Sequence, residues 1–150
     1  MRAIVQRVSQ ASVTVEDEVV SSISRGFLIL LGCCPADNEQ ICEKLWTKIL
    51  KLRIFEDEDG KTNLSLNDTE GEVLIVSQFT LYADCKKGNR PSFTAAGSPD
   101  HANQLYRYFV DCARRDLGER VGTGSFGASM EVALINSGPF TIYLDSDTLF

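Results

Sequence analysis

The chain of 150 residues has one histidine, one tryptophan and two methionines, and its five cysteines contain no CxxC pair. Each shortage removes a class of chemistry. A protein metal site draws on His, Cys and clustered carboxylates, and His101 with scattered Cys33, Cys34, Cys42, Cys85 and Cys112 is a poor ligand supply. No metal site is expected. An odd number of cysteines without regular spacing is no disulfide framework, so the thiols read as free and mostly buried. His101 is also the only histidine base available to a Ser or Cys triad. The longest strongly apolar run, Phe27 to Leu31, is far too short to span a bilayer. Arg2 and Arg7 in "MRAIVQRV" lie inside a strand-like pattern instead of preceding a signal core, so the reading is cytoplasmic with no membrane partner. Without a Pro- or Ser-rich linker, residues 1–150 are expected to form one domain.

The net charge is −6, which argues against indiscriminate binding to phosphates and gives no reason to expect DNA as a partner. Local distribution still matters. Acidic residues bunch at Glu16 to Glu18 and Glu56 to Asp59, whereas "KKGNR" places Lys86, Lys87 and Arg90 in one short stretch. A solvated basic loop and a phosphate-binding loop are both consistent with that pattern.

Periodicity sets the architecture. "RAIVQRV", "ASVTVE" and "GFLILLG" predict an N-terminal set of paired strands. From Asp37, apolar residues at Ile41, Leu45, Ile49 and Leu52 predict a helix, with Asp37 and Gln40 as a capping pair. A second helix is predicted from Ser98 as N-cap and Pro99 at its first position to Gly118 as its stop, burying Leu105, Phe109 and Cys112. His101 falls in its first turn and is expected on the surface. "GTGSFGAS" reads as a flexible link, and "MEVALINSGPFTIYLDS" as a hairpin turning at Asn136 to Pro139. The expected fold is α+β, two packed sheet layers with two helices on one side.

One stretch resists this scheme: "VLIVSQFTLYADCKKGNRPSF", residues 73–93, begins as a buried strand and then carries Ser77, Gln78 and Thr80. In a regular strand Gln78 and Thr80 share a face, and Ser77 joins them only through a bulge. These groups either satisfy a sheet edge or line a site.

"SQFTLYADCKKGNRPSF" and "NSGPFT" together resemble the two signature blocks of the D-aminoacyl-tRNA deacylases, and the likeness runs over nearly the whole chain, including "MRAIVQRV" and "GSFGASMEV". Members of that family often have Asp where this chain has Ser137, and Val where it has Phe140, whose greater bulk is expected to narrow the neighbouring pocket. The resemblance implies a homodimeric proofreading esterase that removes D-amino acids from the 3′ end of tRNA without metal or cofactor. It implies Ser77, Gln78, Phe79 and Thr80 as the catalytic block, with an oxyanion hole in the backbone from Ser77 to Thr80 and assistance from the tRNA 2′-hydroxyl. Gly138 and Pro139, joined by a cis bond, are implied to reach into the partner subunit's pocket and exclude L side chains, supported by Arg7, Asn136 and Thr141. Glycine has no side chain to exclude, so glycyl-tRNA is an expected substrate too.

Given such a substrate, Lys86, Lys87 and Arg90 would meet phosphates, and Phe79, Phe126 or Met130 would pack on the terminal adenine. Core packing of Phe79 and Met130 is the competing reading. Two rivals from other classes stay open: an RNA-binding module without catalysis, and a thiol hydrolase using Cys85 beside Lys86 and Lys87.

Overall fold

The computed structural model describes residues 1–150. Its centre is β1, Arg2–Val15, the strand with most partners. One edge of β1 pairs first with β3, Gly26–Gly32, and then with β2, Glu18–Ile23; the other pairs with β8, Glu131–Asp145. β6, Glu72–Ser77, lies parallel to β3, and β7, Val121–Thr123, parallel to β6. Parallel neighbours need long crossovers. These are supplied by α1, Glu39–Leu50, and α2, Pro99–Leu117. A short ribbon of β4, Phe55–Glu56, and β5, Thr62–Leu64, and a terminal turn α3, Ser146–Leu149, complete the chain. The class is α+β as expected, built on a six-stranded curled sheet, the second sheet being only the β4–β5 ribbon.

Both faces of that sheet are covered, which is why β3 and β6 read as unbroken apolar runs. Phe27, Ile29, Val73 and Ile75 join α1 and α2 in the larger core, where Trp46 meets Phe109 edge-on at 5.8 Å. Leu28, Leu74 and Val76 face a smaller cluster with Val8, Val13 and Ile23. β1 serves both cores because its alternation breaks at Arg7 and Val8, consecutive buried residues at a register shift against β8. Gly26 is obligatory, since a Cβ there would lie 1.8 Å from the Glu72 carbonyl oxygen.

α2 follows its sequence signals: Ser98 caps it, Pro99 opens it, Gly118 ends it with φ of 59°, and Leu105, Phe109 and Cys112 are buried. Four expectations are overturned. Asn38, not Asp37, caps α1, accepting from the Ile41 amide, while Asp37 is buried and binds the Cys34 amide and the Met1 ammonium. Residues 130–146 form no hairpin: β8 runs unbroken against β1, and the Asn136–Pro139 segment bulges from a continuous strand. The first part of "GTGSFGAS" is not a flexible link, because Gly122 and Thr123 belong to β7. The strand that begins at Glu72 stops at Ser77, before Gln78 and Thr80.

Candidate active site

The polar residues that trouble the reading of 73–93 as a strand mark its end. Gln78, with φ −145° and ψ 77°, leaves the strand and spends its own amide on the Leu31 carbonyl at 2.7 Å. A 3-10 turn, Phe79–Tyr82, follows at once. It packs tightly onto the end of β3, where a Cβ on Gly32 would lie 2.8 Å from the Gln78 carbonyl and 3.1 Å from Leu81 Cβ. Gln78 and Thr80 do stand together, through the turn and not through a pleat: Gln78 Nε2 donates to Thr80 Oγ1 at 2.5 Å. The first amides of such a turn have no carbonyl one turn back, which leaves those of Phe79 and Thr80 to serve an anion. The Gln78 amide is already committed and is not available to the oxyanion hole expected over Ser77–Thr80.

Arg2 holds the turn from behind. Its Nη1 donates to the Leu81 carbonyl at 2.9 Å, its Nε to Asp145 at 3.0 Å, and its guanidinium lies 4.3 Å from the Tyr82 ring centroid. Burial pushes the Asp145 carboxyl up, but hydrogen bonds from the Asp147 amide, Tyr143 and Arg2 outweigh it and hold the group below the ordinary carboxylate range. Nothing in the sequence pattern marked Arg2 for this role.

Beside the turn is an apolar cavity of about 380 Å³, within the range of small-ligand sites. Ser77, Gln78 and Phe79 line it together with Phe93, Tyr106 and Phe126. Phe79 is 55% exposed and meets Phe93 edge-on at 5.1 Å, so it is no core residue. Tyr106 donates its hydroxyl to the Ile75 carbonyl at 2.8 Å, and burial pushes its pKa up to about 12. Sequence reasoning missed Phe93 and Tyr106; a tyrosine on the buried stripe of α2, needing a partner for its hydroxyl, was the available signal.

The remaining expected residues divide. Lys86, Lys87 and Arg90 are exposed on a loop closed by the Asp84–Ser92 bridge, and the chain runs from that loop straight into Phe93 at the cavity. Met130 does not line the cavity; it packs on the smaller core, and its sulfur accepts from the Ser125 amide at 3.3 Å. His101 is half-buried, not a surface residue, and its Nε2 is buried without a partner away from the cavity lining. Cys85 is exposed and outside the lining, whereas Cys33 lines the cavity with its thiol pushed up to about 12 by burial. No group of three or more His, Cys, Asp or Glu side chains is placed to hold a metal ion.

The second block forms a separate device. The peptide bond between Gly138 and Pro139 is cis, and both residues are exposed. Arg7, only 7% exposed, donates to the carbonyls of Ser137 at 3.1 Å, Gly138 at 3.3 Å and Ile54 at 2.7 Å. Asn136 ties the other side, its Nδ2 donating to the Arg7 carbonyl at 2.9 Å and to that of Phe140 at 3.1 Å. Thr141 takes no part in this brace and accepts from Gln6 at 3.3 Å on the exposed face. Phe140 does not line the cavity of its own chain; its ring lies under the Arg7 guanidinium, 4.4 Å away. None of residues 136–141 lines the cavity of their own chain.

The family model described as D-Tyr-tRNA(Tyr) deacylase matches residues 4–145. A D-aminoacyl-tRNA deacylase of Thermotoga petrophila is 56% identical over 150 residues, all of both chains, and one of Clostridioides difficile is 53% identical over the same span. Among solved structures, one described as c-Myc DNA Unwinding Element Binding Protein is 44% identical with a TM-score of 0.92, covering 97% of this chain and 98% of that one. Another, described as a probable eukaryotic D-amino acid tRNA deacylase, shares the fold at a TM-score of 0.79 and 21% identity, over 95% of this chain and 97% of that one. The match to the family model over most of the chain, and identity above one half along its entire length, make this chain a member of the D-Tyr-tRNA(Tyr) deacylase family.

Proposed function

We propose that this chain hydrolyses the ester joining a D-amino acid to the 3′ end of tRNA, releasing free amino acid and tRNA. The reading rests above all on the turn at Phe79, whose two uncommitted amides begin beside an apolar cavity that offers no His or Cys base-and-nucleophile pair. An aminoacyl ester is already activated, so positioning it and stabilising an oxyanion suffice. Water adds to the ester carbon, the developing oxyanion is met by the Phe79 and Thr80 amides, and the ester C–O bond breaks with a proton passing to the 3′-oxygen. The neighbouring 2′-hydroxyl assists that transfer. Thr80 orients through Gln78 and is not the nucleophile. Lys86, Lys87 and Arg90 receive phosphates, and Phe79 and Phe126 pack on the terminal adenine.

Chirality is decided by exclusion, because L- and D-esters carry the same groups and attraction alone separates them poorly. The carbonyls of Ser137 and Gly138, held by Arg7, are the obstacle, and they act in the pocket of a second copy. Two features support action across a homodimer. The segment does not line its own cavity. β8 also leaves one edge unpaired, with Ile135 53% and Tyr143 55% exposed, an arrangement that invites a partner.

The test is hydrolysis of matched D-tyrosyl-tRNA, L-tyrosyl-tRNA and glycyl-tRNA by trace enzyme. Rapid loss of the D- and glycyl esters with the L-ester spared is expected; equal D and L rates would refute selectivity by exclusion, and binding without cleavage would favour a non-catalytic RNA-binding module.

A further inference from the structure

A second groove, of about 650 Å³, runs along the outer face of α2 and shares Tyr106 and Phe126 with the candidate active site. Its floor carries Asn103, Arg107, Asp111 and Arg114, with Thr123 and Gly124 from the β7 side. Arg107 and Arg114 lie seven residues apart, on one helical face about 10 Å from each other along the axis. Both are exposed, and neither forms an ion pair or a side-chain hydrogen bond within the chain. In a chain of net charge −6, two unspent guanidiniums in a groove that opens onto the ester cavity call for an anionic occupant.

We propose that this groove carries the RNA strand leading to the scissile ester, with Arg107 and Arg114 as phosphate contacts additional to the basic loop. This deepens the function proposed above and rests on it for the identity of the strand. From Asn103 to Arg114 the helix extends about 16 Å, enough for several nucleotide steps of about 3.4 Å rise each. The half-buried Phe126, between cavity and groove, sits where the terminal adenosine gives way to the preceding nucleotides. Asp111 is the one carboxylate on this lining and opposes a phosphate there. Its presence sets up a gain-of-affinity test that a merely structural face would not show.

The experiment measures binding of uncharged tRNA across a salt series, for the intact chain and for Arg107→Gln, Arg114→Gln, Asp111→Asn and the control Lys48→Gln on α1. Each arginine variant should lose roughly tenfold in affinity near 0.1 M salt and lower the log–log salt slope by about 0.7–0.9, while Asp111→Asn tightens binding and Lys48→Gln changes nothing. In parallel, the arginine variants should raise KM for D-tyrosyl-tRNA yet leave hydrolysis of 3′-D-tyrosyl-adenosine, which cannot reach the groove, at the wild-type rate. Unchanged affinity and slope in both arginine variants would overturn the groove, as would an equal loss from Lys48→Gln or equal affinity for a DNA duplex of similar length. Loss of tRNA binding in the arginine variants with no D-ester cleavage by wild type would uphold the groove and sink the esterase reading instead.

Discussion

The guanidinium of Arg7 lies 4.4 Å from the centroid of the Phe140 ring and is buried there while donating to three backbone carbonyls. Phe140 stands in the same strand as two of those carbonyls, of Ser137 and Gly138, so ring, cation and bulge form one unit. Arg7→Lys cannot reproduce a planar fork bonded to three carbonyls. It should cost about 2–4 kcal/mol in urea unfolding and narrow the ratio of D- to L-ester hydrolysis. An unaltered ratio in a folded Arg7→Lys protein would detach this brace from selectivity.

Phe140→Leu keeps an apolar side chain of similar size but removes the π face. A partly desolvated cation–π contact is worth about 1–2 kcal/mol, so Phe140→Leu should lower stability by about that amount and Phe140→Tyr should restore it. Equal stability of the Leu and Tyr variants would show that the π face contributes nothing.

Thr80 accepts from Gln78 and has no base beside it in the cavity lining. Thr80→Val should therefore keep tRNA binding and lose activity by about tenfold, the scale of one lost hydrogen bond. Complete loss of turnover with binding intact would return Thr80 to the role of nucleophile.

The cysteines give a chemical test. Cys85 is exposed and should be alkylated by iodoacetamide without loss of D-ester hydrolysis, whereas buried Cys33, its thiol raised to about 12, should stay unmodified at pH 8. Inactivation that follows Cys85 modification, together with loss of D-ester hydrolysis in Cys85→Ser, would support the thiol-hydrolase mechanism.

Asp145 sets an acid limit on the Phe79–Tyr82 turn, because it fixes Arg2 and Arg2 holds the Leu81 carbonyl. Its folded pKa is depressed, so its stabilising contribution is complete above the ordinary carboxylate pKa of about 3.9 and is lost as pH falls through the depressed value. Wild type should unfold at higher urea than Asp145→Asn at pH 7, and the gap should close on acidification below pH 3.9. A gap of constant size from pH 7 to pH 2 would place the loss in packing, not in charge.

Legibility followed how local each signal was. Ser98, Pro99 and Gly118 bound α2 because capping and φ restriction act within a few residues of themselves. "NSGP" misled for the same reason: its composition is that of a turn, yet the bulge it makes is absorbed by register shifts in β1, a strand more than a hundred residues away in sequence. Asp37 has the side chain of a cap, and only the approach of Met1 and Cys34 diverts it inward.

By itself the sequence determined the α+β class, the limits of α2, the scarcity of nucleophile–base pairs and the two blocks that carry the family resemblance. Tertiary structure decided where those blocks stand: Gly32 lets the Phe79 turn seat against β3, Arg2 and Arg7 reach across the chain to hold carbonyls, and β8 remains whole where composition favoured a hairpin. The division is physical. Backbone preferences and apolar periodicity are properties of neighbours in sequence, whereas a buried cation's partners and a strand's register depend on which distant segments packing brings within hydrogen-bond reach.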